Sequence, residues 1–250
     1  MTAAIHIVTP IFTKGVRSLD DVRPLEKFGL EIRHSLLSTG PASIECEFDE
    51  ALAVPDTIKK CLEAEAAGAD AVVIDCMGDP GLNAVREVLT IPVLGPMQTS
   101  MHLAAILGHR MSVITVVDSV VPMIANLAKL YGLNERLASI RVIDLPVLEI
   151  EADLQRTQAL LAEQSIQAVR EDDADVLIFG CTGFLGCADA IISALNAVSI
   201  NVPVIDPIPV TVLQAAAIHN AGYTHSKKTY PFPRTKAIRG YSVPGFEVAG

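Results

Sequence analysis

The sequence has no basic excess. Its 19 Lys and Arg stand against 29 Asp and Glu, a net charge of −10, so there is no overall positive field to draw in nucleic acid or an anionic membrane. No apolar run reaches the roughly 18 residues that suggest a membrane span. The N-terminal MTAAIHIVTP lacks the basic start and small-residue cleavage site of a secretory signal. A soluble, cytoplasmic protein is expected. The cysteines Cys46, Cys61, Cys76, Cys181 and Cys187 form no CxxC pair and no Cys/His cluster of zinc-binding type; free thiols in a reducing compartment and no metal site are the reading. No Walker-type or GxGxxG loop appears, which leaves a nucleotide cofactor without support.

What is present is apolar. Half of the 250 residues are hydrophobic, enough to bury one large core or two modest ones. Short apolar runs alternate with helical spacing throughout. Strands are predicted at Ile5–Thr9, Glu31–Ser38, Ala71–Asp75, Pro92–Leu94, Met111–Thr115, Ile140–Leu145, Val176–Phe179 and Val202–Ile205. Between them the pattern predicts helices from Leu19 to Gly29, Pro55–Ala67, Leu82–Leu89, Thr99–Leu107, Val120–Tyr131, Glu151–Glu171, Ala188–Val198 and Val210–Ala221. This rhythm belongs to parallel sheets covered on both faces.

Two of the runs are alike. AVVIDCMGDPG from Ala71 and DVLIFGCTGFLG from Asp175 each end at a cysteine with a glycine two residues later. Each is followed by a helix and then by Pro-Val. Thr9 precedes Cys76 by 67 positions and Thr115 precedes Cys181 by 66, so the strands ending at Thr9 and Thr115 are equivalents in an internal repeat. The expected fold is α/β, with two Rossmann-like lobes of parallel sheet related by a pseudo-twofold axis. Residues 1–96 would form the first lobe, completed by the last helix and tail 207–250, and residues 97–206 the second. The carboxyl ends of the strands would then meet at one cleft.

Two thiols reaching a small molecule from opposite sides can work as a paired acid and base. One removes a proton from carbon as thiolate and the other returns one to the far face. Helix N-terminal amides at such turns can lower a thiol pKa and stabilise an enolate oxygen, and Gly78 and Gly183 let backbone donors approach. A lone cysteine in an apolar stretch is by default a packed side chain. The repeat sets Cys76 and Cys181 apart from Cys46, Cys61 and Cys187. Asp79, Asp206 and His102 read as turn, cap or packing residues as readily as site residues.

In order along the chain stand GPASIECEFDEALA from Gly40, GADAVVIDCMGDPGL from Gly68, MSVIT from Met111, YGL at Tyr131, GCTG at Gly180, PVID at Pro203 and AGYTHSKKTYPFP from Ala221. This ordered set bears a resemblance to the hydantoin racemase branch of the aspartate/glutamate racemase superfamily over nearly the whole length of the chain. It implies a cofactor-independent racemase or epimerase with Cys76 and Cys181 as the acid/base thiols. Met77, Gly78, Thr182 and Gly183 would contact the substrate's carbonyl and ring nitrogens. Ser43, Ile44 and Thr115 would line the cleft, and Thr9, Ile11 and Phe12 would shape the pocket. At Thr9–Thr13 the chain reads TPIFT, where family members commonly carry an Asn-Pro-Asn-Thr-like loop. The amino-acid racemase branch has Asp-Ser near the first strand and His after the second Cys-Thr; here Thr-Pro and Gly183 stand there.

The implied reaction is 1,1-proton transfer on a 5-substituted hydantoin or related cyclic ureide such as allantoin. The competing readings are a maleate-type cis-trans isomerase, an amino-acid racemase, a malonate-type decarboxylase, or a two-lobed ligand-binding protein with inert thiols. The expected partners are a small-molecule substrate and further copies of the chain in a homo-oligomer, without nucleic acid or membrane.

Overall fold

Strands of a parallel sheet are buried on both faces, so they read as unbroken apolar runs rather than alternating ones. The runs above fold accordingly. The computed structural model describes residues 2–241 and 244; the end of the tail assigned to the first lobe, 242–243 and 245–250, lies outside the described residues. β1 (Ala3–Thr9), β2 (Leu30–Leu36), β3 (Ala71–Ile74) and β4 (Val93–Leu94) form one sheet in the order β2-β1-β3-β4. β5 (Met111–Thr115), β6 (Leu137–Val142), β7 (Val176–Phe179) and β8 (Val204–Ile205) form a second in the order β6-β5-β7-β8.

The two sheets repeat one plan, down to their register. All pairings are parallel; Val8 lies opposite Ile74 in the first sheet and Ile114 opposite Phe179 in the second. Cys76 and Cys181 each follow two residues after that rung. The repeat read from spacing is therefore a repeat in space, and the fold is two-lobed α/β.

Among the described residues eight α-helices cover the sheets: α1 (Leu19–Val22), α2 (Glu47–Ala66), α3 (Leu82–Val88), α4 (Pro96–Leu107), α5 (Val121–Leu130), α6 (Leu154–Glu171), α7 (Ala188–Ala197) and α8 (Pro207–Asn220). Period-two side-chain direction splits the first sheet's core between its faces. Ile5, Ile7 and Val73 meet Ile208, Val212 and Ala215 of α8 on one side. Val8, Val72 and Ile74 meet Ala53, Cys61 and Ala64 of α2 on the other. The chain's last helix thus packs on its first strand. Met97, Met101 and Ala104 of α4 join the core built around the second sheet, while α4 also packs against α8. Among the described residues no helix is long and apolar enough to cross a membrane.

Several boundaries differ from expectation: β6 and the starts of α6 and α8 are each shifted by three residues, and three others have clear local reasons. The helix expected from Leu19 to Gly29 is α-helical only to Val22 and continues as 3-10 turns over Arg23–Phe28; Pro24, with no N–H, cannot donate the next bond of the α-helical ladder. α4 begins at Pro96 rather than Thr99, with proline in its first turn. α2 begins at Glu47, eight residues ahead of Pro55, which sits inside the helix. Its first turn holds Glu47, Asp49 and Glu50, which suit the positive end of the helix dipole. That early start brings Glu50 to the Cys76 turn.

Candidate active site

β3 and β7 deliver the two cysteines to turns of the same build. The Gly78 N–H donates to Cys76 Sγ at 3.4 Å, and the Gly183 N–H donates to Cys181 Sγ at 3.4 Å. Both glycines keep space beside sulfur. A Cβ on Gly78 would stand 2.6 Å from Glu50 Oε2 and 3.7 Å from Cys76 Sγ, and one on Gly183 would stand 2.9 Å from Ile150 Cδ1 and 3.4 Å from Cys181 Sγ. The second turn is pinned by Phe184, fully buried and edge-on to Phe179 with ring centroids 5.9 Å apart; such a pair adds about 1 kcal/mol beyond burial. Leu185 then packs on the core of the first sheet. The turns also touch: Thr182 Oγ1 donates to Asp75 O at 3.3 Å.

A cavity of about 70 Å³ lies between the sheets and is lined by both Cys76 and Cys181. At roughly 10–15 Å³ of such volume per water, it has room for several waters or a small ring. Thr9, Ile11, Ile44, Met77, Gly78, Thr182 and Gly183 line it with the cysteines, as do Arg17 and Asp75. The second lobe adds an apolar wall that includes Val120, Met123, Ile124 and Val147.

Three expected residues are not among those lining it. A tight turn at Pro10, with the Ile11 N–H on Thr9 O at 2.8 Å, sends Ile11 inward and leaves Phe12 48% exposed. Ser43 donates to Glu45 Oε1 at 3.4 Å. Thr115 is fully buried and donates to Gly180 O at 3.2 Å, closing the end of its own sheet.

Charged residues that the sequence motifs do not flag surround the thiols. Asp75 was legible only as an acid ending an apolar run, and Arg17, in the loop after β1, carried no signal. Asp79 bridges the lobes: it accepts the Met97 and Gln98 N–H groups at 3.1 and 2.9 Å, capping α4, and the Tyr131 hydroxyl at 2.6 Å. Glu45 makes a second bridge, accepting the Val147 N–H at 2.8 Å. Asp206 accepts the Gly186 N–H at 2.9 Å, and His102 on α4 contacts Gln98 O; neither lines the cavity. Among the described residues no group of three or more His, Cys, Asp or Glu side chains could hold a metal ion.

The expectation of low thiol pKa values is corrected. Burial pushes Cys181 up to about 11, against the Gly183 N–H and Arg17, which favour its thiolate. Burial raises Cys76 well above the usual thiol range, and Glu50, Cys181 and Asp79 add to the rise against the Gly78 N–H. Glu50 itself is raised to about 7, by burial first and then by Glu47 and Asp79. One amide donor does not offset loss of water around a thiolate. Iodoacetamide is therefore expected to label both cysteines slowly at pH 7. Labelling of Cys181 should speed up about tenfold per pH unit below its pKa, because the thiolate is the nucleophile, levelling near pH 11. Peptide mass spectrometry along a time course measures this, and rapid labelling at pH 7 with no pH dependence would contradict it.

Residues 30–215 match the family model described as Asp/Glu/Hydantoin racemase. The hydantoin racemase of Rhizobium meliloti is 38% identical over 242 residues, spanning 96% of this chain and 98% of that protein. The solved allantoin racemase from Klebsiella pneumoniae is 30% identical with a TM-score of 0.88, over 96% of this chain and 97% of that one. An arylmalonate decarboxylase structure shares the fold, with a TM-score of 0.60 at 19% identity over 88% of this chain and 94% of that one. With the family model matched across most of its length and a relative 38% identical over nearly all of both chains, the chain belongs to the Asp/Glu/hydantoin racemase family of isomerases.

Proposed function

We propose that the protein racemises a 5-substituted hydantoin or a related cyclic ureide such as allantoin, by 1,1-proton transfer between Cys76 and Cys181 with no cofactor. The observation that carries this reading is the pair of equivalent cysteine turns, each with an amide donor 3.4 Å from sulfur, lining one small cavity. One thiolate takes the proton from the carbon next to the carbonyl, and the opposite thiol supplies a proton to the other face. The two sulfurs exchange states with each turnover, so either enantiomer is a substrate. Backbone donors of the turns stabilise the oxygen that gains charge as the proton leaves. Because burial holds Cys181 near 11, the free-enzyme rate rises with pH across the neutral range.

Free aspartate or glutamate fits less well. Arg17 is the one Lys or Arg among the residues lining the cavity, and Asp75 already neutralises it at 2.9 Å, which leaves a distal carboxylate without a cation. The five free cysteines suit a reducing compartment, which supports a cytoplasmic location.

The test is each enantiomer of a 5-substituted hydantoin in deuterium oxide. Loss of optical rotation with one deuterium incorporated per inversion is expected. Absence of both exchange and inversion, at enzyme concentrations equal to substrate, would exclude the reading.

A further inference from the structure

One side chain holds both cysteine turns. Arg17, in the loop between β1 and α1, is 6% exposed. Its Nε donates to Asp75 Oδ2 at 2.9 Å, and its Nη2 donates to Thr182 O at 2.5 Å. Asp75 directly precedes Cys76, and Thr182 directly follows Cys181. The Thr9 hydroxyl supports the arrangement by donating to the same Asp75 Oδ2 at 2.7 Å. A planar guanidinium fixes two acceptors in one geometry, which an ammonium does not. Any movement of one turn relative to the other therefore strains this fork.

The charges around the two sulfurs are unequal. Cys181 interacts with the Arg17 cation, and with Asp75 and Glu45 as weaker opposing charges. Cys76 has no cation among its main electrostatic influences; Glu50 and Asp79 both oppose its thiolate. Two carboxylates thus disfavour a negative sulfur on each side of the cavity, and the Cys181 side alone has the Arg17 guanidinium set against them.

We infer that Arg17 is a positioning residue that sets the two thiols against each other and biases the thiolate toward Cys181, leaving Cys76 as the proton donor in the resting enzyme. The inference rests on the two-thiol reading above and adds to it which thiol carries the charge in the resting enzyme.

The experiment compares alkylation of the two cysteines in the full-length protein. Iodoacetamide is applied at pH 9, and the peptides carrying Cys76 and Cys181 are quantified separately. In the wild type Cys181 should react at least about tenfold faster than Cys76, as a bias of one pKa unit or more requires. In Arg17→Gln the Cys181 rate should fall about tenfold while the Cys76 rate changes less than about twofold. Arg17→Gln leaves the Asp75 carboxylate buried and unpaired, so Arg17→Gln with Asp75→Asn is made alongside; there the ratio of Cys181 to Cys76 labelling should still fall, by less. Arg17→Lys keeps the charge but not the fork. It should hold the Cys181 rate within about twofold yet slow hydantoin racemisation by roughly tenfold or more.

Equal labelling of the two cysteines in the wild type would overturn the inference. So would an equal fall at both in Arg17→Gln, an unchanged ratio in the double variant, or full racemase activity in Arg17→Lys. The labelling needs no turnover, so a wild type that fails to racemise hydantoins would sink the substrate assignment while leaving the labelling ratio to decide the bias.

Discussion

Cys76→Ala and Cys181→Ala are each expected to lower racemisation by roughly a thousandfold, since a positioned acid or base contributes about 10²–10⁴ in rate. The loss should not come from unfolding. Both residues are half-buried at the cavity, Cys181 at the edge of the second sheet's core, and removing one sulfur from such a site costs on the order of 1 kcal/mol. Their serine counterparts are more informative. With one thiol left, the surviving sulfur still takes a proton from the enantiomer that faces it and returns a deuteron to the same face. Exchange with retention, for opposite enantiomers in the two variants, is the expected signature. Chiral chromatography with mass detection of deuterium content reads it directly. Wild-type racemisation by both single variants would remove the two-thiol mechanism, whatever the substrate.

Gly180→Ala should have the next largest effect, on stability and activity together. A Cβ at this position would lie 2.7 Å from Thr115 Cβ, 2.7 Å from Val113 Cγ1 and 2.9 Å from Ile114 O. These atoms belong to β5, which is hydrogen-bonded on both sides and fully buried. Overpacking of this kind costs about 1–3 kcal/mol, or roughly 2–4 °C in Tm per kcal/mol for a chain of this size. The strain is relieved most easily by displacing Cys181, the next residue, and a misplacement of about 1 Å can cost a hundredfold in rate. Gly183→Ala is the control. There the clash is with the terminal methyl of Ile150 alone, with no backbone atom within 4 Å, so the melting temperature should fall less than in Gly180→Ala, while the new methyl 3.4 Å from Cys181 Sγ should still impair turnover. Thermal melts and racemisation assays on both variants separate the cases. A Gly180→Ala protein with wild-type melting and activity would show that β5 does not buttress the thiol.

Much of this architecture was legible because burial leaves a direct trace in composition. Strands covered on both faces must be apolar throughout, so AVVI and VLIF located β3 and β7, and the matched spacings from Thr9 and Thr115 paired them. Helix starts were less legible. Pro55 signals a helix entrance by local rules, yet α2 runs through it from Glu47, and packing of Ala53, Cys61 and Ala64 on the first sheet holds the longer helix together. The pocket was read only in part for a similar reason. Neighbours in sequence such as Ile11 and Phe12 point to opposite sides of a turn, and only one of them lines the cavity.

The sequence by itself determined the alternation of strand and helix, the repeat, and the arrival of Cys76 and Cys181 at equivalent strand ends, because these follow from periodicity and spacing within each segment. Tertiary structure alone decided what surrounds the sulfurs. Arg17 is 58 residues from Asp75 and 165 from Thr182, and Glu50 meets the Cys76 turn only because α2 starts early. The upward push on both thiols comes first from exclusion of water and then from distant carboxylates, and it outweighs the effect expected of the turn amides. Burial and charge are properties of the assembled cleft, and no local pattern encodes them.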